Sequence, residues 1–254
     1  MLAPEPSTQT AALGELEISR LGFDAALAIC EARLARGAGG SAYFVNVHML
    51  TEASRDAHLL GALRAASFLF ADGVPLLWLA RAKRAPIATR VCGPDFMDAM
   101  LRRQSARVHG LIGASPEVTG AIARRYGIRA IVYSPPMRPF SEIHALEDWA
   151  TFVARCPDGR PPPFVWVGLG APKQERWIAA VSRAVPDVMF FGVGAAFDFL
   201  AERKPRAPRM LQRLGLEWTH RLASEPGRLW KRYLVTNARF VRLVARELTA
   251  SRRS

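Results

Sequence analysis

Short, uniformly apolar runs alternate along this chain with longer stretches in which apolar residues return every three or four positions. The apolar runs predict strands over Ala42–Val47, Ser67–Ala71, Val108–Gly113, Ile128–Tyr133, Phe164–Gly168 and Val188–Val193. The helical periodicity predicts helices over Met49–Ala65, Asp95–Ser105, Pro116–Tyr126, Ser141–Ala154 and Pro172–Val185. Strands that are apolar throughout are covered on both faces, and their alternation with helices predicts a parallel arrangement. The expected fold class is therefore α/β: a Rossmann-like, mostly parallel sheet flanked by helices. Several strands run directly into turn residues, namely Asn46, Asp72-Gly73, Gly113, Gly168-Leu169-Gly170 and Gly192-Val193-Gly194. Open α/β sheets bind ligands beyond the carboxyl ends of their strands, so these turns predict where a site is assembled. Two proline-rich stretches, Ser134–Pro139 and Pro157–Pro163, read as stiff surface loops.

The pattern changes near Glu202, where sheet-like sequence gives way to basic helical sequence. Three regions are expected: a flexible N-terminus over residues 1–15, an α/β core over 16–201, and a basic amphipathic helical appendage over 202–254. Within the appendage Gly215 ends a first short helix, and Ser224-Glu225-Pro226 starts a last one. In that last helix Trp230, Tyr233, Leu234, Val241, Val244 and Leu248 recur at helical spacing, while Arg228, Lys231, Arg232, Arg239, Arg242 and Arg246 fill much of the rest. An interfacial helix has this pattern. So does a helix that docks its apolar stripe on the domain and leaves its arginines in water.

Charge sharpens the question. Residues 202–254 hold 14 Lys or Arg against 4 Asp or Glu, a surplus of ten within a chain whose net charge is +13. Such a terminus suits nucleic acid, an anionic membrane surface or a phosphate-bearing substrate. No apolar stretch reaches the roughly 18 residues a spanning helix needs. MLAPEPSTQT has neither the basic nor the apolar region of a signal peptide, and the cysteine usage suits a reducing cytoplasm. Cys30, Cys92 and Cys156 are odd in number and far apart, matching neither a disulfide framework nor a zinc pattern; buried free thiols are expected.

The turns carry the candidate chemistry. Asp72-Gly73 after an apolar strand is an ordinary turn pair, since Asp bonds its own backbone and Gly supplies positive φ. It can equally hold a carboxylate at the sheet edge, ready to accept a proton from a substrate hydroxyl. Gly168-Leu169-Gly170-Ala171-Pro172-Lys173-Gln174 is a strand end running into a helix, where free N–H groups can meet phosphate and Gln174 can meet a base or sugar. Gly192-Val193-Gly194-Ala195-Ala196-Phe197-Asp198 repeats the arrangement one strand later. Neither has the glycine spacing and downstream acid of a dinucleotide site, which disfavours a nicotinamide oxidoreductase. Arg90 precedes a tight Cys92-Gly93-Pro94-Asp95 turn in which Asp95 reads as a helix cap. His109 reads as a core residue. With no Asp-x-Asp in the chain, arginines and backbone N–H groups would have to stabilise a departing diphosphate.

The segments VNVHML, FADGVPLLW, RVCGPDFM, FVWVGLGAPKQERWI, FGVGAAFDF and KPRAPRMLQRLGLEWTHRLASEPGRLWKRYL, spread from about Leu16 to about Arg246, resemble the WecG/TagA/CpsF family of bacterial glycosyltransferases, glycosyltransferase family 26. The resemblance implies inverting, metal-independent transfer, with no cofactor, from a UDP-sugar to a polyprenyl-diphosphate-linked acceptor. It implies work at the inner face of the cytoplasmic membrane, by a peripheral enzyme with no nucleic-acid partner; whether it is a homo-oligomer is left open. The donor sugar is left open among N-acetylmannosamine, its uronic acid and a hexose. The family's general base falls on Asp72, and Asn46, Arg90, Gln174 and Asp198 fall around the nucleotide-sugar together with Gly168, Gly170 and Gly194. Arg221, Arg228 and Lys231 fall where the family closes its appendage over phosphates. Lys231 stands where arginine is common, and Phe44 where threonine is common, which puts the sugar specificity in question. A nucleic-acid-binding protein using the same basic tail is the competing expectation; it lacks any recognised reading module.

Overall fold

The computed structural model describes residues 9–213 and 216–250. The chain opens with β1 (Thr10–Leu13) and β2 (Leu16–Ser19), followed by α1 (Phe23–Ala35), β3 (Gly40–Val45), α2 (Val47–Ala53), α3 (Ala57–Arg64) and β4 (Phe68–Ala71). Next come α4 (Val74–Ala82), α5 (Gly93–Arg103), β5 (Val108–Ile112), α6 (Pro116–Tyr126), β6 (Arg129–Tyr133), α7 (Glu142–Val153) and β7 (Phe164–Val167). The remainder is α8 (Lys173–Ser182), β8 (Met189–Gly192), α9 (Ala196–Leu200), α10 (Arg209–Arg213), α11 (Glu217–Ser224) and α12 (Pro226–Ala250).

Six strands form one parallel sheet in the order β4-β3-β8-β7-β5-β6. Their apolar residues divide by the two-residue period of a strand. Tyr43, Val45, Leu69, Ala71, Val165, Val167 and Phe190 enter one core cluster. Ala42, Phe44, Phe68, Phe70, Phe164, Trp166, Met189 and Phe191 enter the other. Helices cover both faces, as the unbroken apolar runs require. His109 belongs to the second layer: Trp166 Nε1 donates to its Nδ1 at 3.2 Å while Nε2 lies 3.0 Å from the Gln104 carbonyl, and burial lowers its pKa. All three cysteines are free and buried.

Two segments depart from the sequence expectation. The helix expected over Met49–Ala65 is two helices, because Asp56 interrupts it and caps α3, its Oδ1 accepting from the N–H groups of His58 and Leu59. Asp56 also pairs with Arg176 on α8, so the break is anchored across the fold. Residues 10–15, expected within a flexible terminus, instead supply β1 and the turn of an antiparallel hairpin. Ala11, Leu13, Leu16 and Ile18 are all buried, and this alternate-residue burial holds the hairpin on the first core cluster. Four-residue strands are too short to stand out by periodicity.

The C-terminal helix docks on the core and keeps apolar residues outside as well. At 100° per residue, Leu229, Thr236, Phe240, Leu243 and Glu247 share one face of α12. Leu229 and Thr236 are buried, and Phe240, Leu243 and Val244 pack on the first core cluster. His48 contacts Thr236 at 3.3 Å, and the Glu52–Arg239 and Lys83–Glu247 ion pairs flank this seam. Trp230, Leu234 and Val241 lie roughly a quarter-turn or more away and are exposed. Arg242 and Arg246 are also exposed, on the opposite flank. No helix among the described residues is long and apolar enough to cross a membrane.

Phe44 is a core residue. It is 4% exposed and packs its ring 5.1 Å from that of Phe96 and 6.0 Å from that of Phe70. Gly93 leaves room for it, since a Cβ there would lie 3.3 Å from the ring. A Phe44→Thr substitution should lower the unfolding free energy by about 3 kcal/mol, through lost burial and the cavity left behind. Urea denaturation followed by tryptophan fluorescence checks this.

Candidate active site

The carboxyl edge of the sheet gathers the polar residues that the two apolar faces exclude. Asp72 follows β4 directly, its N–H donating to the Val45 carbonyl at 2.7 Å and so continuing the ladder to β3. The Val91 N–H donates to the Ala71 carbonyl at 2.9 Å. That single bond sets Arg90 and Cys92 alongside Asp72. The Asp72 carboxyl is pushed up to about 6: burial raises it, Arg90 opposes, Glu217 and Asp95 add to the rise, and a hydrogen bond from Cys92 pulls it back. An ordinary turn aspartate in water has no such shift.

Around Asp72 lies a network that crosses from core to appendage. Arg90 Nη1 sits 3.3 Å from Glu217 Oε2 on α11, and its Nη2 is 3.9 Å from Asp95 Oδ2 on α5. Arg206 grips Asp95 with two nitrogens, one of them at 2.9 Å, and its Nη2 is 3.4 Å from Cys92 Sγ. Arg206 Nε is 3.6 Å from Glu217 Oε1. Asp95 is not the helix cap expected from the sequence: Cys92 stands at the N-cap of α5 with no side-chain cap bond, and Asp95, inside the first turn, locks an appendage arginine instead. Asp95 and Arg206 also line a cleft of about 510 Å³ between α5, α6 and α9.

The glycine turns of β7 and β8 are joined by Gln174. Its Oε1 accepts from the Gly194 N–H at 2.8 Å, its Nε2 donates to Glu175 Oε1 at 2.8 Å, and its backbone N–H donates to the Gly170 carbonyl at 2.9 Å. Gln174 is 2% exposed, so its amide is committed to protein rather than presented to solvent. Glu175 is fully buried, its Oε2 has no partner, and burial pushes its carboxyl up to about 7 against its own backbone N–H and the Gln174 amide. Gly168 and Gly192 are required by packing. A Cβ on Gly168 would come within 2.6 Å of the Phe197 ring, and one on Gly192 within 2.7 Å of the Tyr43 ring.

The other expected site residues are placed as follows. Asn46 caps α2, its Oδ1 accepting from the Met49 N–H at 3.0 Å. Asp198 lies on α9 with its carboxylate 3.8 Å from Lys204, which also reaches Glu225 at 3.1 Å. Lys231 is exposed, its ammonium 5.5 Å from the Trp230 ring centroid, and it does not join the Asp72 network. Arg221 and Arg228 fall on α11 and α12, and their side chains lie outside the described residues. Sequence reasoning missed Arg206, Glu217 and Glu175 as members of the site. Arg206 and Glu217 do sit in the KPRAP and LEW motifs, but only the fold shows what they face. Among the described residues no three His, Cys, Asp or Glu side chains gather as a metal-binding group.

A parallel sheet with a half-buried carboxylate at its carboxyl edge, an arginine beside it and an appendage residue, Glu217, reaching that arginine defines an open α/β type of ligand site. The sequence matches the glycosyl transferase WecG/TagA/CpsF family over residues 11–254, and the chain belongs to that family. Membership implies glycosyltransferase activity in cell-surface polysaccharide synthesis.

Because Asp72 binds its proton more tightly folded than unfolded, folding carries a penalty above about pH 6 that is absent below the ordinary aspartate range near pH 4. Asp72→Asn should therefore raise the melting temperature at pH 7 to 8, and the gain should vanish as the pH falls toward 4. Thermal melts across this range check the sign.

Proposed function

We propose that the protein is an inverting, metal-independent glycosyltransferase that moves a sugar from a UDP-sugar to a polyprenyl-diphosphate-linked acceptor, with Asp72 as general base. The observation that carries this reading is the Asp72 carboxylate at the end of β4, raised to about 6 and flanked by Arg90. At neutral pH it is mostly ionised, yet it is a stronger base than an exposed aspartate. In the displacement, Asp72 takes the proton of the acceptor hydroxyl as that oxygen bonds to the anomeric carbon. The bond from that carbon to UDP breaks on the opposite face, and UDP leaves with the electron pair. Arg90 and the backbone N–H groups entering α8 stabilise the developing charge on the diphosphate. The sugar is N-acetylmannosamine, its uronic acid or a hexose.

Asp72→Asn should lower turnover by 10²- to 10⁴-fold, the usual contribution of a positioned base, while UDP binding persists. Near-normal turnover would remove Asp72 from the role. In the unaltered enzyme, kcat/KM should fall below about pH 6 as Asp72 takes up its proton. Initial rates from pH 4.5 to 8 with a panel of UDP-sugars check both the limb and the donor.

The same reading places the enzyme peripherally on the inner face of the cytoplasmic membrane. The exposed Trp230, Leu234 and Val241 supply apolar contact, and each Lys or Arg near an anionic leaflet adds about 1 kcal/mol. Trp230→Glu combined with Val241→Glu should abolish flotation with anionic liposomes and leave the melting temperature unchanged, since neither side chain is buried. Undiminished flotation would show that the exposed stripe does not contact lipid.

A further inference from the structure

Arg206 and Glu217 have no role in the reaction as described so far, yet they complete the charge network around Asp72. Two guanidinium groups, from Arg90 and Arg206, address a single carboxylate, each meeting a different oxygen of Glu217. Both contacts, at 3.3 and 3.6 Å, are longer than the roughly 2.7–2.9 Å of a good charge-assisted hydrogen bond. Arg206 Nε is closed off from solvent and has no hydrogen-bond partner. Glu217 therefore underfills the space between the two arginines. An anion with more oxygen atoms, correctly spaced, would satisfy what the carboxylate leaves unmet.

The rest of the network explains which group can yield. Arg206 is held from behind by Asp95 and Cys92, so its orientation is set before any ligand arrives. Asp72, Asp95 and Glu217 are three acids against the two cations Arg90 and Arg206. A diphosphate brought among them meets net repulsion unless one carboxylate withdraws. Asp95 is gripped by two nitrogens and sits on a core helix, whereas Glu217 is the first residue of α11 in the appendage. The cleft beside Arg206 and Asp95 gives an incoming ligand room.

We propose that Arg206 is a second cation of the donor's diphosphate subsite, acting with Arg90, and that Glu217 occupies this subsite as a built-in anion until the diphosphate displaces it. The assignment rests on the reading of the site as one for a nucleotide-diphosphate sugar. Displacement couples donor binding to the position of α11, because the ligand must break the contact that ties this helix to Arg90. Glu217 also carries one of the charges that hold Asp72 up, so its withdrawal acts on the base directly.

The test is calorimetric titration of the full-length protein and its Glu217→Gln, Arg206→Ala and Arg206→Lys variants with UDP and with uridine, which lacks the diphosphate. Glu217→Gln should bind UDP three- to tenfold more tightly, because the competing charge is gone and the shape is kept. Arg206→Ala should bind UDP at least tenfold more weakly, with Arg206→Lys between it and the parent. Uridine affinity should move little in any variant. In the kcat/KM profile, Glu217→Gln should shift the acid limb to lower pH, because its charge no longer raises Asp72. Unchanged or weakened UDP binding by Glu217→Gln overturns the proposal, as do equal effects on UDP and uridine. Failure of the unaltered protein to bind UDP at all overturns the donor reading itself, a result separable from the other two. Circular dichroism melts confirm that each variant is folded, and the isosteric Gln keeps the test open if Arg206→Ala is not.

Discussion

A parallel sheet covered on both faces leaves one place for polar chemistry, and the rest of this molecule follows from that constraint. Every residue of β4, β7 and β8 is buried, so none of these three strands can offer a side chain to water along its length. Polar groups collect where the strands end, at Asp72 after β4, Asn46 after β3 and the glycine turns after β7 and β8. The burial that makes the edge a site also tunes it. Asp72 is packed closely enough for desolvation to outweigh the attraction of Arg90, and the result is a carboxyl raised to about 6. The raised carboxyl costs stability at neutral pH, a local trade common at functional sites.

The basic C-terminal segment reads in sequence as a charged tail, but three of its cations are directed inward. Arg206 meets Asp95 and Glu217, Lys204 meets Asp198 and Glu225, and Arg239 meets Glu52. These contacts seal the segment against the core at the site and along α2. The net surplus of ten therefore overstates what is left for an external anion; the exposed Lys231, Arg242 and Arg246 are better placed for that duty. Glu217 has the opposite logic, an acid in a basic segment that is there because two arginines converge on it.

The sheet was legible because a doubly covered strand must be apolar throughout: all six expected strands form, each within a few residues of its expected limits. What escaped was set by contacts distant in sequence. Asp56 breaks a helix whose apolar spacing continues across it, and its pairing with Arg176 is 120 residues away. The hairpin over Thr10–Ser19 is too short for periodicity, and only its buried face reveals it. The site divides the same way. Asp72 and Arg90 were legible from turn chemistry and resemblance, and the fold brings them together. Gln174 was expected to face a substrate, yet both ends of its amide are engaged by Gly194 and Glu175. Nothing in the local sequence distinguishes a glutamine that reaches outward from one that laces two turns together.

The α12 pattern left two readings open, and the structure shows why a single stripe could not decide between them. A helix with one apolar face either docks or binds an interface; α12 has two, separated by roughly a quarter-turn or more. Phe240, Leu243 and Val244 take the first against the core, and Trp230, Leu234 and Val241 keep the second exposed. In the proposed membrane-bound enzyme, one rigid helix then touches lipid on one side and α2 on another. A surface can favour the closed appendage only to the extent that it binds that arrangement better than any other. The exposed stripe exists in this arrangement with the core-facing stripe already satisfied. Lipid contact would therefore add to the docking seam without competing for the same residues.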